Sequence, residues 1–455
     1  NFTHSCRLGN FGTFHNLVSS LARLFRTYCL GAAAAYILFA VILALPQQSE
    51  AQIKIYERTT PNDSLADKGL FFESPTRKKI ILDGEWNVSF NNGGSFAKLI
   101  VPCSYDFYGN AIFNKNFSAP SDSASAYSFL LVAEGISNTC EIKINDVFIT
   151  KHSGAGLPVI VPIDEGIIKA GNTISITVDS RIGNASLPLG NVISYGKVSG
   201  GIDKDIYILA VPKIYTLANY VTYTTGADNS AKIKISASIK SAVLDKYKQA
   251  AGFKSFYAVS KIIKRSTGEE AASTTRAGFA MENNNIAIVT GEAVVKNPEL
   301  WALDNPALYI CRTMLYADDE LIDECDTEFG IYSLTKKGEQ FVMNGKELKL
   351  YGTNYFESSV KYGSALDYNE TLAELTNIKK QGFNTVRVAG ATAHPYLLNI
   401  CSRIGLFLFE DVPFNEVPEY LLKKNTYTDA ALKSIYETAL RDRNYPCVIA
   451  FGLGN

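Results

Sequence analysis

The 455-residue sequence has no methionine before Met281 and no Cys-x-x-Cys pair, and its charges almost cancel. Each lack narrows the reading. The eight cysteines (Cys6, Cys29, Cys103, Cys140, Cys311, Cys325, Cys401 and Cys447) are scattered, which argues against zinc ligation. Lys+Arg of 44 stands against Asp+Glu of 45 without basic clustering, which argues against a nucleic-acid partner. The stretch ahead of Arg23 is too long for the basic region of an export signal. The opening residues therefore read as a fragment, or as a frame extended upstream of the true start. Charge is also missing from Thr27 to Ser49.

That charge-free run holds an apolar core at 30–45, preceded by Arg23 and Arg26 and followed by small residues at Ser49-Glu-Ala51. Basic flank, short apolar run and small residues together predict an export signal and a periplasmic, outer-surface or extracellular protein. An uncleaved membrane anchor through residues 28–45 is the alternative, although about 16 apolar residues is short for a bilayer span. Hydrophobic residues at 47% and charged residues at 20% describe ordinary globular material. The length suits about three domains. We divide the chain into 1–51 (signal or anchor), a polar linker at 52–74, and units at 75–212, 213–330 and 331–455.

The first two units are all β. Tyr127-Ser-Phe-Leu-Leu-Val132, Cys140-Glu-Ile-Lys-Ile-Asn145 and Thr173-Ile-Ser-Ile-Thr-Val178 are short runs broken by turn residues, a pattern of antiparallel sandwiches. Ile142, Ile144 and Val147 are predicted to face inward. Lys232-Ile-Lys-Ile-Ser-Ala-Ser-Ile239 alternates in the same way, and the length of 213–330 suits an immunoglobulin-like sandwich. Cys311 and Cys325 fall in this unit, either bridged across neighbouring strands or as two buried thiols acting as small hydrophobes.

After Phe329 the period changes. A strand at 348–352 leads to a helix from about Tyr368 to Gln381, with Leu372, Leu375 and Ile378 on one face and Gly382 just past its end. Strand 384–388, helix 395–404, strand 406–409, a helix capped near Thr428 or Asp429, and strand 448–451 follow. Strands alternating with helices imply parallel β/α units. Four such strands leave an open edge that a closed eight-stranded barrel would not have, so the chain reads as incomplete at this end too.

Several segments resemble glycoside hydrolase family 2. Leu82-Asp-Gly-Glu-Trp86 is similar to the opening strand of that family's jelly-roll domain, Cys140-Glu-Ile-Lys-Ile-Asn-Asp-Val147 to its "V-x-V-N-G-x" element, and Ser199-Gly-Gly-Ile-Asp-Lys-Asp-Ile-Tyr207 to "G-G-I-x-R-D-V-x-L". Farther on, Phe341-Val-Met-Asn-Gly-Lys-Glu-Leu-Lys-Leu-Tyr-Gly-Thr-Asn354, Phe383-Asn-Thr-Val-Arg387, Arg441-Asp-Arg-Asn-Tyr-Pro446 and Phe451-Gly-Leu-Gly-Asn455 resemble barrel elements of the family. In this order, over about 370 residues, the motifs reinforce one another. The resemblance implies a jelly-roll β-sandwich, an immunoglobulin-like β-sandwich, and the first half of a TIM (β/α)8 barrel.

It also implies retaining hydrolysis of β-glycosides by two carboxyl groups about 5–5.5 Å apart. The family's acid/base Glu would come immediately after Asn455 and its nucleophile after the seventh strand, so the chain as given is expected to be inert. The resemblance assigns supporting roles: Asn455 on the sugar 2-hydroxyl, Arg387 beside the nucleophile or in a structural ion pair, and Asn354 with Glu357 after the first strand. His394 is a ligand or a helix-start residue, and Asp411 falls at the end of the third strand. Phe356, Gly390 and Tyr445 stand where the family has His, and Tyr332 where it has Arg, which marks a divergent member. No cofactor is implied, and Asn415 and Glu416 fit the family's metal motif poorly. A non-catalytic carbohydrate-binding protein on the same domains is the second reading. An unrelated adhesion sandwich is a third, which leaves the β/α tail without explanation.

Overall fold

The structure is a computed structural model, and it describes residues 53–58, 68, 74–91, 95–119, 126–154, 156–181, 200–226, 228–242, 255–280, 285–414 and 417–453. The signal or anchor, most of the linker, Asn415, Glu416 and Asn455 lie outside these residues. Among the described residues no helix is long and apolar enough to cross a membrane.

Alternating sequences build the first sandwich. In Gly171–Asp179 the side chains of Ile174, Ile176 and Val178 turn inward while their neighbours face out. This strand is fourth in a six-stranded antiparallel sheet ordered Ser95–Val101, Gly84–Phe90, Asn110–Ser118, Gly171–Asp179, Thr139–Ile144, Val147–Ser153. A four-stranded sheet, Val159–Ile163, Tyr127–Ala133, Ile206–Pro212 and Lys78–Ile81, shares its core around Trp86, Phe113, Ile142 and Leu131. Tyr127–Ala133 is apolar on both faces because both are covered: Leu131 enters that core, whereas Leu130 and Val132 join Tyr207, Leu209 and Tyr215 on the other side. Ile142 and Ile144 are buried as predicted, but Val147 is exposed. It follows the turn made by Asn145 and Asp146, both at positive φ, and opens the edge strand outside the core.

The second sandwich sets Ile214–Thr225, Ser230–Ser241 and Ile286–Lys296 beside a sheet ordered Glu270–Ser273, Phe256–Lys264, Tyr309–Ala317, Glu320–Phe329. Ile233, Ile235, Ile262, Cys311 and Phe329 fill its interior. Cys311 sits opposite Thr327, and Cys325 opposite Thr313, so the two thiols are not cross-strand partners and both are free. Burial pushes the Cys311 thiol up to about 12. It packs as a small hydrophobe.

A small antiparallel sheet (Leu334–Lys337, Gln340–Met343, Lys346–Leu348) leads into the β/α unit. There four parallel strands lie in chain order: Gly352–Tyr355, Thr385–Val388, Phe407–Asp411 and Val448–Gly452. Helix α1 (Tyr368–Lys380) follows the first strand, α2 (Pro395–Ile404) the second, and α3 (Glu419–Leu422) and α4 (Asn425–Asp442) the third. The expected strand at 348–352 is divided. The Asn384 side chain donates to the Lys349 carbonyl (2.7 Å) and accepts from the Tyr351 amide (2.8 Å), occupying groups that a continuous ladder would use. Helix α4 begins earlier than predicted: Thr428 does not cap it but sits inside it, bonding back to the Lys424 carbonyl at 3.3 Å.

Two residues, Trp301 and Asn444 of the 441–446 motif, join the second sandwich to this unit. Trp301 is fully buried against Tyr332 and Phe407, and its indole N–H donates to the Ser402 carbonyl at 2.8 Å. Asn444 mimics a backbone partner, donating to the Asn219 carbonyl (2.8 Å) and accepting from the Val221 amide (3.1 Å).

Candidate functional site

Side chains of a strand alternate between the two faces of its sheet. Tyr355, Val386, Val388 and Leu408 therefore point to the helix-side core, and Asn354, Arg387 and Asp411 to the opposite face. Asn354 pairs in register with Arg387 and is exposed. The Arg387 guanidinium grips Asp411 with two bonds, Nε to Oδ1 at 3.2 Å and Nη2 to Oδ2 at 2.7 Å. Asp411 is almost fully buried, while a third of the Arg387 side chain stays open, 34% against 3%. The structure shows Arg387 paired with Asp411, with its open side left toward the face where the nucleophile role was expected. Gly452, in register with Asp411, has to lack a side chain: a Cβ there would lie 2.1 Å from Asp411 Oδ1.

Glu357 does not join this row. Its carboxylate turns inward and accepts the backbone amide of His394. Burial raises its pKa, and Lys204 and Arg441 counter that effect. His394 caps α2, its Nδ1 accepting from the Tyr396 amide at 3.2 Å. Burial, then Lys204, press its pKa well below the ordinary imidazole value, so the ring is neutral and Nε2 carries the proton. His394 is thus seen at the start of α2.

The 390–394 segment between the second strand and α2 is held by its backbone. The Gly390 amide donates to Asp411 Oδ2 (3.3 Å), and the Ala393 amide to Glu410 Oε1 (2.8 Å). The Ala393 carbonyl accepts from Arg441 Nη2 (2.7 Å), and Glu357 takes the His394 amide. Arg441 also forks onto Asp442 at 2.6 and 2.7 Å. Burial opposes its charge, but Asp442 and Glu410 hold its pKa above the ordinary value.

Beneath this segment the first sandwich contributes a second charged cluster. Asp205 meets Arg58 (3.7 Å) and Lys68 (3.9 Å) and accepts the Tyr396 hydroxyl. Burial acts to raise Asp205, yet Arg58 and Lys68 overcome it and leave its pKa below the usual carboxylate range. Asp83 beside it is raised well above that range by burial and by Asp205, which favours its protonated form. Sequence reasoning quoted Asp203-Lys-Asp205 and Arg441-Asp442 only as signature letters. Charged residues inside otherwise apolar strand and helix ends were the signal that they form a junction. A separate cavity of about 330 Å³, lined in part by Val132, Leu209, Leu217, Leu398 and Tyr445, lies where the three units meet. It does not reach Arg387, Asp411 or Asn354. Among the described residues no three His, Cys, Asp or Glu side chains group for a metal ion.

Two family models match in succession: glycosyl hydrolases family 2 over residues 216–331, and the TIM barrel domain of the same family over 334–455. The chain belongs to glycosyl hydrolase family 2. A β-galactosidase of Thermoanaerobacter pseudethanolicus is 25% identical over 326 residues, spanning 70% of this chain and 41% of its own length. The β-galactosidase BoGH2A of Bacteroides ovatus is 29% identical over 198 residues, 41% of this chain and 22% of its own. The chain thus spans less than half of these curated relatives. Among solved structures, a β-glucuronidase of Bifidobacterium dentium superposes with TM-score 0.73 at 18% identity, covering 84% of this chain and 69% of that one. A β-D-glucuronidase of Dictyoglomus thermophilum gives 0.69 at 22%, covering 84% and 68%. These likenesses show the fold, with its β-rich units and TIM-barrel domain. Within that family this chain is a divergent member.

Proposed function

We propose that this chain is the front part of an exported, retaining β-glycosidase, with a jelly-roll unit at 75–212, an immunoglobulin-like unit at 213–330 and the first half of a (β/α)8 barrel at 331–455. The observation that carries the reading is the row Asn354, Arg387 and Asp411 on one face at the C-terminal ends of adjacent parallel strands, where barrel enzymes place their active sites. The names of the relatives, β-galactosidase and β-glucuronidase, support a carbohydrate substrate. Export is supported by the apolar run at 30–45, which lies outside the described residues.

In this mechanism one carboxyl group protonates the leaving oxygen and a second, about 5–5.5 Å away, attacks the anomeric carbon. We place the acid/base directly after Asn455 and the nucleophile after a later strand. Asp411 does not substitute for either, since Arg387 and the Gly390 amide already occupy its oxygens. Residues 1–455 alone are then a binding scaffold without turnover. Asn354, Asn455 and the open side of Arg387 are the groups left to meet the sugar, while Glu357, Asp411 and His394 hold the walls.

The test is to read the coding sequence past Asn455, express the longer chain and assay nitrophenyl β-glycosides. We expect Glu after Asn455 and hydrolysis in which the β-anomer forms first. A folded longer protein that cleaves none of the panel defeats the enzyme reading. Phe356 and Tyr445, at positions where the family motif has His, favour carbohydrate binding without catalysis in that event.

A further inference from the structure

Lys204 belongs to the first sandwich, yet it ends among groups of the β/α unit. Its side chain is buried and runs over Gly135, where a Cβ would meet its Cδ at 2.6 Å. The ammonium donates to the Gly156 carbonyl at 3.1 Å. Gly156, at φ +82, lies against the 390–394 segment: a Cβ there would sit 3.7 Å from the Thr392 carbonyl and 3.8 Å from Lys204 Nζ. The opposite charge that acts most strongly on Lys204 is Glu357, which accepts the His394 amide. The Lys204 ammonium therefore lies beside the 390–394 backbone: it holds the Gly156 carbonyl, the Gly156 Cα side packs toward Thr392, and the charge of Glu357, which accepts the His394 amide, acts on it.

We propose that Lys204 is a positioning residue, fixing the 390–394 backbone from the sandwich side through Gly156 and Glu357. Burying an ammonium is costly unless its field is used. Here the cost is offset by the Gly156 carbonyl, which Lys204 holds beside the segment that leads from the second strand to α2, and by the charge of Glu357. The other three holds on this segment, Asp411 on Gly390 and Glu410 and Arg441 on Ala393, all come from the β/α unit itself. Lys204 is the sandwich's contribution to the same loop. That the loop faces a sugar rests on the function proposed above.

Hydrogen exchange on the whole 455-residue chain, read by mass spectrometry, tests the positioning role without any sugar. A Lys204→Met variant is expected to exchange its Ala393 and His394 amides about tenfold faster, because local opening becomes easier. The α2 amides and the second sandwich should keep their protection, and Lys204→Arg should restore the loop. Unchanged exchange at 391–394, or a rise spread evenly over all three units, overturns the proposal. Should Lys204→Met fail to fold, Glu357→Gln decides. It keeps an oxygen for the His394 amide but removes the charge that Lys204 faces, and a rise confined to the loop is again required. Methyl β-glycosides added to the unaltered chain test the other reading separately. Slower loop exchange supports the sugar face, and absence of binding overturns that reading while leaving the exchange result on Lys204 intact.

Discussion

The outer surface of the second sandwich and the junction beneath the 390–394 loop use the same kinds of charged side chain in ion pairs, with opposite consequences. On the sandwich, Lys232–Glu292 and Lys261–Glu270 both close to 2.9 Å, and all four side chains are more than 40% exposed. Water and salt screen such pairs, and side-chain entropy opposes them. At the junction, Arg58, Lys68, Asp205, Glu410 and Asp442 are buried, Arg441 keeps 14% of its side chain open, and Asp205, Glu410 and Asp442 are at 0% exposure. There each charge has already lost its hydration, and its partner is what makes burial tolerable. Distance alone says little about an ion pair. The first sandwich and the segment carrying Arg58 meet the β/α unit through hydrogen bonds at charged groups, Tyr396 onto Asp205 and Arg58 onto Tyr396 and the Leu366 carbonyl, whereas the second meets it through Trp301, the Asn444 side chain and the Arg403–Glu328 pair at 3.7 Å.

The strongest way to break this comparison is Asp205→Ala. It takes the Asp205 carboxylate away from buried Arg58 and Lys68 and removes an acceptor of the Tyr396 hydroxyl, which keeps its bond from Arg58. We expect a loss of about 3–5 kcal/mol, the usual effect of removing one partner of a buried pair, measured as a shift of the denaturant midpoint. A loss under about 1 kcal/mol, the range of surface pairs, would erase the distinction between the two regions.

A smaller effect is expected at the far end of the sheet. Gly452→Ala drives a methyl group to 2.1 Å from Asp411 Oδ1, so the carboxylate has to move and the Arg387 fork opens. Overpacking of this kind costs about 1–3 kcal/mol. Thermal unfolding gives the magnitude, and the Arg387 side-chain NMR signals report whether the fork is lost. An unshifted Arg387 signal would mean that the pair does not depend on the glycine.

How much of this was legible follows from what each signal encodes. Helix α2 has the bounds expected of it, with Pro395 in its first turn and Gly405, left-handed at φ 72, ending it. The sandwich strands were legible from period two. The start of α4 was misread because Thr428 resembles a cap, yet bonds to the carbonyl four residues back. The broken strand at 348–352 depends on Asn384, more than thirty residues away, and no local pattern contains that. At the site, the Arg387 and Asp411 positions follow from strand ends. The inward turn of Glu357 was not legible, since the His394 amide it accepts lies 37 residues farther along the chain.

The finest test of the comparison uses pH. Asp83 is buried beside Asp205, with Arg58 and Lys68 close by, and its Oδ1 accepts the Ile206 amide at 2.8 Å. Its folded pKa is raised, first by burial and then by Asp205. A raised carboxyl contributes stability that is complete below its unfolded pKa and is lost as pH rises through the folded value. Asp83→Asn keeps an oxygen for Ile206 and supplies an N–H toward Asp205 without a proton to lose. The variant should match the wild type near pH 4 and gain on it steadily as pH rises, in thermal midpoints taken up to pH 8. Exposed Glu292 carries the opposite sign: hydrogen bonding and charge from Lys232 lower its pKa, so whatever it contributes is lost as pH falls. A Glu292→Gln variant should therefore differ from the wild type only above the carboxylate range, and only slightly. If the Asp83→Asn gain grew toward low pH instead, Asp83 would be ionised in the folded chain, and the junction would obey the rules of the surface.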